Sequence, residues 1–146
     1  MTTTVSQVKA ANSTDALAHF EALLTFETDC WDVHHAITEQ EQDFVLIDVR
    51  SPALYLKGHL PTAINILHGK LTAHRLKEFA DTTLFVVYCA GPHCNGANKA
   101  AVHLSKLGRL AETTKRVEVA TQKALNEWQG HPCLGGKPLH SKDIPA

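Results

Sequence analysis

At 146 residues the chain is long enough for one domain with its own core, and 44% apolar against 20% charged residues is the balance of a globular protein. A formal net charge of -1 gives no general attraction for nucleic acid or an anionic membrane, and no apolar run approaches a membrane span. Four scattered cysteines, Cys30, Cys89, Cys94 and Cys133, are too few for a disulfide scaffold and read as thiols, with chemistry open to one or two.

The opening stretch, MTTTVSQVKAANST, is polar and reads as a loosely held arm. It lacks the apolar core of a secretory signal, so a cytoplasmic location is expected. Ser13-Thr14-Asp15 offers an N-cap for a helix carrying Leu17, Phe20, Leu23 and Leu24. Leu24 to Glu27 reads as a short first strand. Asp29 then caps a second helix through Trp31, Val33, Ala36 and Ile37, with His34 and His35 expected at the surface. The ten histidines are spread along the chain, which argues against a single metal site.

Phe44 to Val49 is an unbroken apolar run but for Asp48, which suits a strand of a parallel sheet. About one helical turn follows over Ala53 to Gly58, then a loop, His59 to Ala63, and a very short strand, Ile64-Asn65-Ile66. His68 to Phe79 reads as helical, with Leu71, Leu76 and Phe79 as its apolar positions. Val117 to Val119 is a weak strand candidate and Lys123 to Trp128 a last helix, before a Gly- and Pro-rich irregular tail.

Between these lies LFVVYCAGPHCNGANKAAVHLSKLG, residues 84–108. Leu84 to Tyr88 is a buried-strand run that ends abruptly at Cys89. Ala90 to Gly96 is rich in turn formers. Ala97, Ala100, Ala101, Leu104 and Leu107 then fall at helical spacing, with Gly108 placed to end the helix. A cysteine facing the first turn of a helix meets unsatisfied N–H groups and the positive end of the helix dipole, and both favour the nucleophilic thiolate. Gly91 and Gly96 let backbone amides turn inward as an anion nest. A strand-end cysteine is otherwise a small buried hydrophobe; the loop and helix behind Cys89 weigh for a working thiol.

Strands alternating with helices imply βαβ units, hence an α/β fold with a mainly parallel sheet covered on both faces. Ligands of such folds sit beyond the C-terminal strand ends, where Asp48-Val49-Arg50 and Cys89 both lie.

IDVRSPALYLKGHLPTAINI, residues 47–66, followed by VVYC, a glycine-containing loop and an Ala-rich helix, resembles the single-domain rhodanese-like sulfurtransferases. The likeness covers residues 24–132 as the domain, with 1–23 as N-terminal arm and helix and 133–146 as tail. It implies a five-stranded parallel α/β domain with no cofactor and no metal. It also implies a rhodanese-type (thiosulfate) sulfurtransferase. Cys89 takes a sulfane sulfur from a small anionic donor such as thiosulfate, becomes a persulfide, and passes the sulfur to cyanide or a thiol. By the same likeness Ala90, Gly91, Pro92, His93, Cys94, Asn95 and Gly96 form the anion-binding loop. Asp48, Arg50 and His59 are supporting residues near the site. Asp48 and His59 are expected to fix loops by hydrogen bonds, and Arg50 is either an ion-paired scaffold residue or a cation attracting the donor.

The loop is longer than is usual in the family and carries a second thiol, Cys94, which is either a loop residue packed under the helix or a nucleophile toward an oxidised or persulfidated Cys89. The usual Gly-Gly turn before the last helix is missing. The rival reading is a thiol redox enzyme or sensor using Cys89 and Cys94. A phosphatase or arsenate reductase calls for an arginine at the loop's end to clamp an oxyanion, and six residues after Cys89 stands Asn95. A zinc site calls for paired ligands at CxxC-like spacing, which this chain lacks.

Overall fold

In the computed structural model, residues 2–91 and 94–114 are described. The elements are α1 (Thr4–Gln7), α2 (Ser13–Phe26), β1 (Glu27–Thr28), α3 (Cys30–Thr38), β2 (Phe44–Asp48), α4 (Pro52–Lys57) and β3 (Ile64–Asn65). A single 3₁₀ turn (His68–Lys70), β4 (Leu84–Tyr88), α5 (Gly96–Lys106) and β5 (Leu110–Thr114) complete the order. Five strands form one sheet in the order β1-β5-β4-β2-β3, and every adjacent pair runs parallel. The chain therefore has the mainly parallel α/β architecture expected of its alternating pattern.

Local chemistry explains most boundaries and corrects several. Thr3 and Ser6 form a reciprocal capping box that winds α1 inside the expected arm. The N-cap of α2 is Asn12, one residue before Ser13, and its side chain accepts the Asp15 N–H at 2.9 Å. Helix α2 runs on through Phe26, so β1 is only Glu27–Thr28. Leu17, Phe20 and Leu24 stay exposed and Leu23 is half-buried. Asp29 caps α3 as expected.

Two helix ends solve one problem differently. At α3 the Glu41 N–H returns to the Ala36 carbonyl and the Gln40 N–H to Ile37, with Gln40 at φ 59°. At α5 the Arg109 N–H returns to Leu104 and the Gly108 N–H to Ser105, with Gly108 at φ 70°. Both are left-handed closures of the last turn; α5 places the preferred glycine there and α3 does not.

The expected helix over His68 to Phe79 is absent; the single 3₁₀ turn gives way to turns. Leu71 leaves it in extended conformation, and the Arg109 guanidinium donates to the carbonyls of Leu76, Phe79 and Ala80 at 3.2, 3.0 and 2.8 Å. Leu71 and Leu76 are still buried. A strand is found at Leu110–Thr114, while the expected Val117 to Val119 strand, the Lys123 to Trp128 helix and the tail lie outside the described residues.

Alternation along the strands splits the core in two. Leu46, Val86 and Tyr88 join Cys30, Val33 and Ile37 of α3 together with Leu60 and Ala63. Ile47, Val49, Phe85, Val87 and Cys89 face the other way, onto Ala97, Ala100 and Leu104 of α5 with Ile66, Leu71 and Leu76. Tyr88 and Cys89, adjacent in sequence, thus belong to opposite faces of the sheet.

Candidate active site at the end of β4

Register decides what meets at the sheet's C-terminal edge. Phe44 to Asp48 pairs residue for residue with Leu84 to Tyr88, so Asp48 stands beside Tyr88. The Tyr88 hydroxyl donates to Asp48 Oδ2 at 3.0 Å and accepts the Leu60 N–H at 3.0 Å. Arg50 Nε donates to both Asp48 oxygens at 2.9 and 3.1 Å, and Nη2 donates to Asp48 Oδ2 at 2.6 Å and to the Gly58 carbonyl at 2.7 Å. Asn65 Nδ2 bridges the carbonyls of Asp48 and Arg50 at 3.0 Å each. Asp48 and Arg50 are nearly sealed from solvent, at 0% and 3% exposure.

Burial opposes the Arg50 charge, and the Asp48 hydrogen bonds and negative charge outweigh it, holding the guanidinium's pKa above its usual value. Burial, reinforced by the Asp48 charge, likewise pushes the Tyr88 hydroxyl far up, so it stays a donor. Arg50 Nη1 is buried with no hydrogen-bond partner among the described residues. His59 sits in the same brace: its Nδ1–H donates to the Tyr55 carbonyl at 2.9 Å and its ring stacks on Tyr55 at 3.6 Å. The Tyr55 hydroxyl in turn donates to the Ala63 carbonyl at 2.7 Å. The residues expected as support are held together on the Tyr88 face, opposite the one that carries the Cys89 side chain. Of the two roles weighed for Arg50, ion pairing within the scaffold is what the geometry displays.

On the α5 face, Cys89 is 8% exposed and packs against the start of the helix. The Cys94 N–H donates to the Gly91 carbonyl at 3.0 Å. The Cys89 and Cys94 Cα atoms lie 6.3 Å apart, and the two sulfurs are joined as a disulfide. Read from the sequence as thiols, these two cysteines are bonded to each other here, the same pair that the rival redox reading uses. The Gly96 N–H, first in α5, donates to Cys94 Sγ at 3.4 Å. A Cβ on Gly96 would stand 2.6 Å from Cys89 Sγ and 3.4 Å from Cys94 Sγ, so only glycine lets the helix start this close to both sulfurs.

Ala90 and Asn95 are exposed, and Asn95 precedes α5 without a side-chain capping bond. Pro92 and His93 lie outside the described residues. Sequence reasoning missed Tyr88, Asn65 and Tyr55 as the brace. A phenol inside an otherwise apolar buried strand needs a hydrogen-bond partner, which is the available signal for Tyr88.

This geometry can be set beside known proteins. The rhodanese-like domain family matches residues 32–129. The chain belongs to that family. Among its relatives, an HTH-type transcriptional regulator of Mycobacterium tuberculosis is 33% identical over 103 residues, covering 69% of this rhodanese-like chain and 42% of the regulator. The chain thus spans less than half of that relative's length. A solved structure from Bacillus halodurans is similar at 29% identity and TM-score 0.72, covering 83% of each chain. The rhodanese-like domain of an Anabaena protein shares the fold at 21% identity and TM-score 0.56, covering 68% of this chain and 74% of its own. Among the described residues, no helix is long and apolar enough to cross a membrane.

Proposed function

We propose that this rhodanese-like chain is a sulfurtransferase that carries a sulfane sulfur as a persulfide on Cys89. The donor is a small anion such as thiosulfate, and the acceptor is cyanide or a thiol. The observation that carries the reading is the seating of Cys89 Sγ against the glycine that opens α5, where helix N–H groups favour a thiolate and, after it, an anionic persulfide. In the first step the Cys89 thiolate attacks the outer sulfur of thiosulfate, the S–S bond of the donor breaks, and sulfite leaves with the electron pair. In the second, the acceptor attacks the terminal sulfur and Cys89 leaves as thiolate.

Intact mass of the reduced protein before and after thiosulfate tests this. Wild type gains one sulfur atom, cyanide removes it, and Cys89→Ser gains none. Full sulfur uptake by Cys89→Ser would place the chemistry elsewhere.

The disulfide favours a second reading, a thiol redox enzyme or sensor built on Cys89 and Cys94. On that reading thiosulfate adds no sulfur, while mild oxidant removes two hydrogens from wild type and none from either single serine variant.

A further inference from the structure

We propose that Cys94 is a built-in acceptor: it resolves the Cys89 persulfide, so that the chain releases its cargo as hydrosulfide and is reset by a dithiol reductant. The inference rests on the persulfide reading above and adds an activity to it, reductive release of sulfane sulfur.

Three observations converge on Cys94. Its sulfur already reaches that of Cys89 within the folded loop, at a Cα separation of 6.3 Å that lies inside the range disulfides occupy. The first amide of α5 donates to Cys94 Sγ at 3.4 Å, the arrangement that favours an attacking thiolate. Gly96 places no side chain beside the two sulfurs, where a Cβ would stand 2.6 Å from one and 3.4 Å from the other. An external thiol has to reach a cysteine that is 8% exposed, whereas Cys94 is held in place by its backbone bond to Gly91.

The step balances. Cys94 thiolate attacks Sγ of Cys89, the inner sulfur of the persulfide. The Cys89–Cys94 bond forms, the bond between Sγ and the terminal sulfur breaks, and the terminal sulfur leaves as hydrosulfide with the electron pair. The two cysteines are oxidised and the sulfane sulfur is reduced. A dithiol reductant then reduces the disulfide through a mixed disulfide, becomes a disulfide itself, and frees Cys89 for the next donor. In this cycle the disulfide is the form the chain holds between sulfur release and reduction.

The test uses the whole chain, reduced, freed of reductant and given thiosulfate, with hydrosulfide and intact mass followed together. Wild type is expected to hold the added sulfur only transiently, to release it as one hydrosulfide per chain with the loss of two hydrogens and stop, then to turn over continuously when dithiothreitol is present. Cys94→Ser and Cys94→Ala are expected to hold the added sulfur on Cys89 and to release hydrosulfide at a rate lower by roughly tenfold or more. Two substitutions of different polarity guard against a folding defect in one. A wild-type persulfide as long-lived as that of both variants, or sulfur that migrates intact to Cys94, would overturn the inference while leaving the sulfurtransferase reading in place. No added sulfur on wild type or either Cys94 variant would overturn both.

Discussion

The two faces of the sheet at its C-terminal edge are built on opposite plans. On the Tyr88 face, Asp48, Arg50, Asn65 and the Leu60 turn are cross-braced, and Asp48 and Arg50 are sealed from water. On the Cys89 face the polar contacts among the described residues are sparse: one bond from Cys94 to Gly91 and one amide on Cys94 Sγ, with a glycine where a side chain would crowd the sulfurs. The difference teaches a division of labour. One side of β4 spends its polar groups on holding the strand ends in place, and this leaves two sulfurs free to exchange partners without disturbing the frame.

The comparison can be broken by moving an effect to the wrong face. The largest expected effect is that of Asp48→Ala, which leaves Arg50 buried without its counter-charge and costs about 3 to 5 kcal/mol of stability. Urea unfolding reads it, and the molecules that remain folded still take up sulfur; loss of uptake at unchanged stability would put Asp48 in the chemistry. Tyr88→Phe comes next, at about 1 to 3 kcal/mol, because it strips Asp48 Oδ2 of a donor and leaves the Leu60 N–H buried without a partner. Gly96→Ala acts on the other face. Its Cβ displaces Cys89 Sγ, and persulfide formation slows by roughly tenfold, or about 1.4 kcal/mol of barrier, with the melting of the Tyr88 face little changed.

Gln40→Gly sharpens the contrast in a different way, since it relieves a left-handed residue at the end of α3 and is expected to raise stability by about 1 kcal/mol. Acid gives the smallest and most graded effect. Burial, with His35 adding to it, lowers the pKa of His34 on α3, so the unfolded chain binds that proton more readily. The stability this contributes is complete above the ordinary value of 6.5 and is lost as pH falls below it. His34→Gln flattens that part of a melting-temperature profile.

The frame was legible in the sequence because Phe44 to Val49, but for Asp48, and Leu84 to Tyr88 are apolar runs that suit a sheet covered on both faces. Strand β5 was not, because Leu110-Ala111-Glu112-Thr113-Thr114 is neither continuously apolar nor cleanly alternating, and it gains its place from its neighbours β4 and β1. The Leu71 and Leu76 positions were legible as buried, but their backbone was not, since it depends on carbonyls met by Arg109 some thirty residues on. Cys89 and the loop behind it stood out by order alone. That Asp48 and Arg50 lie across the sheet from its sulfur did not, because the facing depends on the β2–β4 register. His34, expected at the surface, is half-buried.

The strand order has a consequence for how the chain comes together in time. Strand β1 pairs with β5, Glu27 opposite Thr113, so an early part of the chain waits for a late one. Strands β2 and β3 lie close in sequence and can meet after a short loop closure, whereas the β1 edge has to wait until nearly the whole described chain has been synthesised. During synthesis β1 emerges well before its partner and joins the sheet only once β5 is made.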